Sequence, residues 1–264
     1  MHDDDHGESS GDDVDIPSPE ELENEIESVV RAFEKRRGEP LPAGAVTRLS
    51  AHAHLMLMAN ASMNLTRITN PRDIAIKHIL DSLTILDAVA LEKTRVLDMG
   101  TGAGYPGIPL AIAVPSASVV LMDGSEKKTI FVNDVIENLQ LTNAAAMQGR
   151  AEVHLKDYDY NFIVARAVGP ISRLLPLLLS RRKQFEVLVA MKGPGGKDEW
   201  GEAYKSGASR GFELLATHET ELPGGAGKRS ILLIAPSGTK HLKPLSPSKS
   251  GSKYKNTEKN RRGR

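Results

Sequence analysis

The chain has 264 residues, 34 Lys or Arg against 34 Asp or Glu, and no cysteine. A chain of this length buries a full core, and the lack of cysteine excludes disulfides, cysteine zinc sites and thiolate nucleophiles. No apolar run approaches the roughly 18 residues of a membrane span, and the start is acidic where a signal peptide would be basic and then apolar, so a cytoplasmic protein without membrane contact is expected.

The zero net charge conceals a polarised chain. Residues 1–28 hold twelve Asp or Glu and no Lys or Arg, whereas residues 237–264 hold nine Lys or Arg against Glu258 alone. Blocks of like charge rich in Ser and Gly bury too little apolar surface to offset ordering entropy, so residues 1–17 and 237–264 are expected to be disordered tails. A basic tail is also the electrostatic footprint of a polyanion. Between the tails the pattern divides into a helical extension (18–90) and an alternating strand–helix region (91–236).

Order begins at Ser18-Pro19-Glu20-Glu21, which reads as N-cap, proline at the first helical position and an acid at the third. The helix places Leu22, Ile26, Val29, Val30 and Phe33 on one face and ends before Gly38. A second helix is expected over 45–61. His52 and His54 are two apart and face different ways, which argues against a metal pair, and Met56, Met58 and Met63 read as core filler. Asn70-Pro71-Arg72-Asp73 repeats the capping grammar. The helix it opens sets His78 and Ser82 on one face, just before the first strand, where His78 suits a lid or substrate wall.

From Thr94 the spacing predicts strands over 95–99, 118–123, 144–148, 162–166, 186–191, 213–217 and 230–234. Helices are expected near 107–114, 126–139, just after Arg150, 171–181 and 199–209. The last two strands are joined by Pro223-Gly224-Gly225-Ala226-Gly227, too short for a crossover helix, and should form an antiparallel hairpin. The expected fold is α/β: a doubly wound, mostly parallel, seven-stranded, Rossmann-like sheet with a terminal antiparallel hairpin and an N-terminal helical extension. Ligands to such a sheet sit at the carboxyl ends of its strands. That rule nominates Asp98, Asp123, Arg166 and Lys192 together.

The stretch Asp98-Met99-Gly100-Thr101-Gly102-Ala103-Gly104-Tyr105 sits between the first strand and the next helix. Glycines there, Gly100 and Gly102 among them, admit positive φ and close approach, and the helix N-terminus is expected to offer unpaired N–H groups to an anion. Asp123 ends the second strand, where a ribose-binding acid belongs. A dinucleotide enzyme would need a hydride-transfer pair such as Tyr-x-x-x-Lys, and none is found. S-adenosylmethionine carries no phosphate; Asp98 suits its cationic methionine end and Asp123 its ribose hydroxyls. Pyrimidine C5 methylation usually needs a cysteine nucleophile. Amino methylation commonly uses an Asn/Asp-Pro-Pro-Tyr motif, where this chain has Val164-Ala165-Arg166-Ala167-Val168-Gly169-Pro170. The acceptors that remain include a ring nitrogen such as guanine N7, whose free lone pair needs positioning and no general base.

Eight motifs in order, over about residues 55–234, then carry a resemblance. They are Asn64-Leu65-Thr66, Lys77-His78-Ile79-Leu80-Asp81-Ser82, the loop from Asp98 to Leu110, Lys127-Lys128 with Phe131, Gly149-Arg150-Ala151-Glu152, Ala165-Arg166-Ala167, Met191-Lys192-Gly193 and Lys228-Arg229. Together they resemble the bacterial methyltransferase G family, also called glucose-inhibited division protein B. The resemblance implies S-adenosylmethionine-dependent methylation of guanine N7 in a loop of 16S ribosomal RNA near the decoding site, with that RNA or the small ribosomal subunit as partner. It implies that Gly100 and Tyr105 line the cofactor, that Ala151 and Glu152 bracket its adenine, and that Arg166 contacts the cofactor region. Lys192 and Arg229 match basic residues of the active-site mouth, facing RNA. This chain departs from the pattern at Gly124, where Ser is usual, at Tyr105, where Leu or Phe is usual, and in its long tails. Two rival readings remain: a small-molecule methyltransferase closed by the helical extension, and a non-catalytic ribosome-assembly protein with a vestigial loop. No metal and no obligate protein partner is expected.

Overall fold

The computed structural model describes residues 16–238; all but the two innermost residues of each expected tail lie outside the described residues. Helix α1 (Pro19–Arg37) starts as its capping box demands. The Ser18 hydroxyl accepts from the Glu21 N–H, and the Glu21 carboxylate accepts from the Ser18 N–H at 2.9 Å. Gly38, at φ 76°, ends it. Helix α2 (Ala45–Met63) packs against α1 through Leu49, Ala53 and Met56. Met58 corrects the core-filler expectation: two residues from Met56 it lies across the helix and is 55% exposed, while Met63 is half-buried against the core.

Asn70 caps the next segment, accepting from the Asp73 N–H at 3.2 Å. This segment is not one regular helix. Helix α3 (Pro71–Ile74) widens into a π-helical turn (Ala75–Leu80), continues as α4 (Asp81–Leu83) and tightens into a 3-10 turn (Thr84–Asp87).

Seven strands follow: β1 (Arg95–Met99), β2 (Ser118–Asp123), β3 (Ala144–Gln148), β4 (Tyr160–Arg166), β5 (Phe185–Lys192), β6 (Phe212–Leu222) and β7 (Gly227–Pro236). They form one sheet in the order β3-β2-β1-β4-β5-β7-β6. The first five run parallel, and β7 lies antiparallel to both β5 and β6, as the hairpin reading expects. The order reverses between β1 and β4, so a crevice opens at their carboxyl ends.

Both faces of the sheet are covered, which is why its strands alternate two sets of apolar side chains. Val96, Val164, Val189 and Ile231 face one apolar cluster, shared with α5 (Gly107–Ala113), α6 (Glu126–Asn138) and the buried faces of α1 to α4. Leu97, Ile163, Leu188 and Leu232 face a second, shared with α7 (Ala151–His154), α8 (Ile171–Leu178) and α9 (Gly196–Lys205). Every residue of α5 is buried, because the helical extension lies over its outer side. Helix α9 begins three residues before the expected start, and β6 and β7 run well past their predicted ends. No described helix is long and apolar enough to cross a membrane.

Candidate active site at the carboxyl ends of the strands

The glycine loop is held by its own carbonyls, by the end of β2 and by two acids. The N–H groups of Gly100 and Thr101 donate to the Met122 carbonyl, those of Gly104 and Tyr105 to Thr101, and that of Ile108 to Gly104. Gly102 N–H donates to Asp123 Oδ2 at 3.0 Å, and Gly107 N–H to Asp98 Oδ2 at 2.8 Å. The expectation of several unpaired N–H groups facing an anion is therefore corrected: the turn satisfies most of them. Such a loop suits a ligand without phosphates better than a pyrophosphate.

Asp98 is fully buried. Its Oδ2 also accepts from the Thr101 hydroxyl at 2.6 Å, while Oδ1 has no partner among the described residues. Burial raises its pKa to about 6, against the opposing pull of the Thr101 and Gly107 hydrogen bonds and the Arg166 charge. A buried carboxylate oxygen without a partner is costly, and a cationic ligand group placed beside it removes that cost. Asp123 Oδ1 accepts from the Ser125 N–H at 2.9 Å, so both oxygens already have a backbone donor. Ala151 is buried and Glu152 half-buried in the first turn of α7, just after β3. Since β1, β2 and β3 are neighbours, Asp98, Asp123 and the pair Ala151–Glu152 form a row along one half of the sheet edge.

The glycines differ in what requires them. A Cβ on Gly100 (φ +74°) would lie 2.4 Å from Val168 Cγ1, so this glycine serves the packing of the β4–α8 connection. A Cβ on Gly102 (φ +60°) would meet nothing within 4 Å, so there the loop faces open space. Gly124 is equally open, and the Ser usual at that position would meet no clash.

Tyr105 points away from open space. Its ring is buried between His52, at 4.4 Å between centroids, and His78, at 4.7 Å, and its hydroxyl has no partner among the described residues. His52 Nε2 lies 2.7 Å from the Ala103 carbonyl and His78 Nε2 lies 3.0 Å from the Thr66 hydroxyl. Burial lowers the pKa of His52 to about 4 and that of His78 to about 3, aided by the nearby Arg166 charge; for His52 the Ala103 bond opposes the shift. Both rings are neutral at pH 7. His78 is thus a wall behind the glycine loop. Arg166 closes the stack, its guanidinium carbon 5.3 Å from the Tyr105 centroid.

The other half of the edge is built from side chains. An open cleft of about 390 Å³ at the ends of β4, β5 and β7 is lined by Asp81, Arg166, Met191, Lys192, Glu199 and Arg229, with backbone from Ala167, Gly169 and Gly193. Arg229 belongs here because Ser230 pairs with Lys192, which brings the start of the antiparallel β7 beside the end of β5. Its cations are already paired. Lys192 Nζ bonds Glu199 at 2.8 Å and the Gly169 carbonyl, and Glu199 also accepts from the Ile171 N–H. Asp81, only 5% exposed, takes Arg229 Nε on Oδ1 at 3.0 Å and Arg166 Nη1 on Oδ2 at 3.4 Å. Burial raises the Asp81 pKa, and the two arginines oppose that shift.

Sequence reasoning placed Lys192 and Arg229 together at the mouth but set Arg166 with the cofactor, whereas the structure brings all three into one cleft; it gave no role to Asp81 or Glu199. Asp81 had a visible signal, a lone acid among Ile76, Ile79, Leu80 and Leu83, where an apolar helix face has no use for a charge.

Residues 45–231 match the sequence profile of the rRNA small subunit methyltransferase G family. Ribosomal RNA small subunit methyltransferase G of Pelotomaculum thermopropionicum is 40% identical over 194 residues, covering 72% of this chain and 81% of that protein. The protein of the same name from Desulforamulus reducens is 34% identical over 218 residues, covering 80% and 90%. This chain belongs to that family. The methyl donor that membership implies, S-adenosylmethionine, meets acceptors of the right chemistry in the row described above. Asp98 Oδ1 would face its ammonium, the open side of Gly102 leaves it room, Asp123 would accept from the ribose hydroxyls, and Ala151 with Glu152 would flank the adenine.

Proposed function

We propose that this protein methylates N7 of a guanine in the 16S RNA of the small ribosomal subunit, with S-adenosylmethionine as donor. The observation that carries the reading is the division of one sheet edge into two adjoining sites. An acid-lined row on β1 to β3 suits a cationic nucleoside, and a cleft in which three basic side chains on β4, β5 and β7 face Asp81 and Glu199 suits a polar base with phosphates at its rim. The two meet at Tyr105 and Arg166.

S-adenosylmethionine, when bound, supplies a methyl carbon made electrophilic by its sulfonium. The guanine N7 lone pair forms the new N–C bond as the C–S bond breaks, and the electron pair of that bond stays on sulfur. No proton moves, so the residues have only to bind and orient. Asp98 and Asp123 hold the donor end, and Arg229 and Lys192 hold the RNA at the mouth. Alignment of donor and acceptor is itself a large catalytic term. The pairing of Lys192 and Arg229 with Glu199 and Asp81 leaves the cleft with little excess charge, which favours a polar base over a phosphate within it and leaves phosphates to its rim.

The test incubates the protein with small ribosomal subunits and S-adenosylmethionine labelled in the methyl group. Label should enter 16S RNA, and reduction followed by aniline scission should cut the chain at one guanine, as N7 methylation requires. Label confined to small metabolites, or RNA binding without label, would overturn the reading.

A further inference from the structure

We propose that Asp81 is a positioning residue for methyl transfer, a shared counter-ion that sets Arg166 as an inward strut and Arg229 as the hand that meets RNA. The proposal rests on the function argued above. Arg166 Nη1 donates to the Lys77 carbonyl at 3.2 Å as well as to Asp81, its Nη2 lies 3.4 Å from His78 Nδ1, and its face covers Tyr105. Both of its terminal nitrogens are therefore engaged within the protein. Arg229 differs. Its Nε is fixed by Asp81 and its Nη1 by the Lys228 and Ala226 carbonyls at 3.0 and 3.4 Å, while Nη2 has no partner among the described residues. One donor of a guanidinium held at both other nitrogens is left to the cleft.

The π-helical turn makes this arrangement. The Asp81 N–H is shared between the His78 and Ile76 carbonyls, three and five residues back, where an α-helix would have used Lys77. The Lys77 carbonyl accepts from Arg166, so the wide turn provides both the socket for the strut and the acid beside it. Three chain segments far apart in sequence, the π-turn, the end of β4 and the start of β7, thereby meet on one carboxylate. Removing it leaves two half-buried guanidiniums without a counter-charge. Arg166 keeps the Lys77 carbonyl, His78 and Tyr105. Arg229 loses the one bond that directs its side chain out of the hairpin.

The experiment compares Asp81→Asn, Arg229→Ala and the double variant in kcat/KM for labelling of small ribosomal subunits, with cofactor affinity measured by calorimetry. Misplacement of an aligning group by an ångström costs up to about a hundredfold, so Asp81→Asn should lose roughly ten- to a hundredfold. The double variant should be no worse than Arg229→Ala alone, because Asp81 acts through Arg229, and cofactor affinity should stay within about twofold of wild type. Multiplying losses in the double variant would overturn the proposal, as would a parallel loss of cofactor affinity in Asp81→Asn. If Asp81→Asn does not fold, Asp81→Glu takes its place, since it keeps the charge but moves it by one methylene; full activity in that variant, or a loss that Arg229→Ala fails to mask, is the overturning result. A wild-type protein that labels no RNA sinks the functional reading instead, so the two failures are distinguishable.

Discussion

The two halves of the strand edge are built by different means. The half on β1 to β3 is made of backbone: one short loop, satisfied by its own carbonyls and two acids, with Asp98 at its centre. The half on β4, β5 and β7 is made of charged side chains that hold one another and come from positions as far apart as Asp81 and Arg229. A backbone site is rigid and local, and its chemistry can be read from a dozen consecutive residues. A site of mutually paired charges exists only once the chain is folded, and each member depends on the others.

That contrast breaks first at Asp98. Asp98→Asn should weaken S-adenosylmethionine about 10- to 100-fold, the worth of a charge-assisted bond in a buried site, and leave binding of small ribosomal subunits intact. The same change should raise the melting temperature of the ligand-free protein at pH 7. Asp98 holds its proton up to about pH 6 in the fold but only to 3.8 in an unfolded chain. Its contribution to stability is thus present below about pH 4 and lost as pH rises through 6, and an amide escapes that loss. Unchanged cofactor affinity in a folded Asp98→Asn protein would remove Asp98 from the donor site.

Two glycines sharpen the contrast within the loop. Gly102→Ala adds a methyl to the open side at a backbone strain of about 1 kcal/mol, so cofactor affinity should fall while the fold persists. Gly100→Ala drives a carbon into Val168 and should lower stability further, by roughly 1–3 kcal/mol of overpacking. Denaturant midpoints and calorimetry on both variants decide the matter; equal stability losses would mean that the Val168 contact is soft.

How much of this was legible follows the same division. The bounds of β1, β2 and β3 and the capping box at Ser18 were readable because each rests on a local pattern, apolar alternation or a side chain three residues from its partner. The hairpin was readable from its short glycine-rich link. The π-turn was not, since one extra residue in a helical turn leaves the apolar spacing around Ile74 to Leu83 almost unchanged. Nor was the burial of Tyr105, because the two histidines that enclose it lie 53 and 27 positions before it. Asp81 and Glu199 escaped notice as counter-ions because pairing in space has no signature along the chain.

An effect that shows only on acidification lies where the two halves join. His52 and His78 stay neutral in the fold far below the ordinary 6.5, so an unfolded chain takes up protons there that the fold refuses. Stability should be full above about pH 6.5 and fall as pH drops towards 4, by up to about 1.4 kcal/mol per pH unit for each histidine, with Asp98 acting in the opposite sense. His52→Gln should flatten the slope of unfolding free energy between pH 6.5 and 5; an unchanged slope would place the acid sensitivity elsewhere.

The apolar cluster that runs without a break from Leu22 on α1 to Val119 on β2 and Ile231 on β7 has a consequence for dissection of the chain. Cut away at residue 90, the catalytic sheet would present the outer side of α5 to water, along with the Tyr105 ring, and would be a sticky fragment instead of a minimal enzyme. Protection of amides in α1 against exchange with heavy water should match that of β1 and disappear with it in one step. The N-terminal segment supplies both histidines packed behind the glycine loop, so the described molecule should melt as a single body.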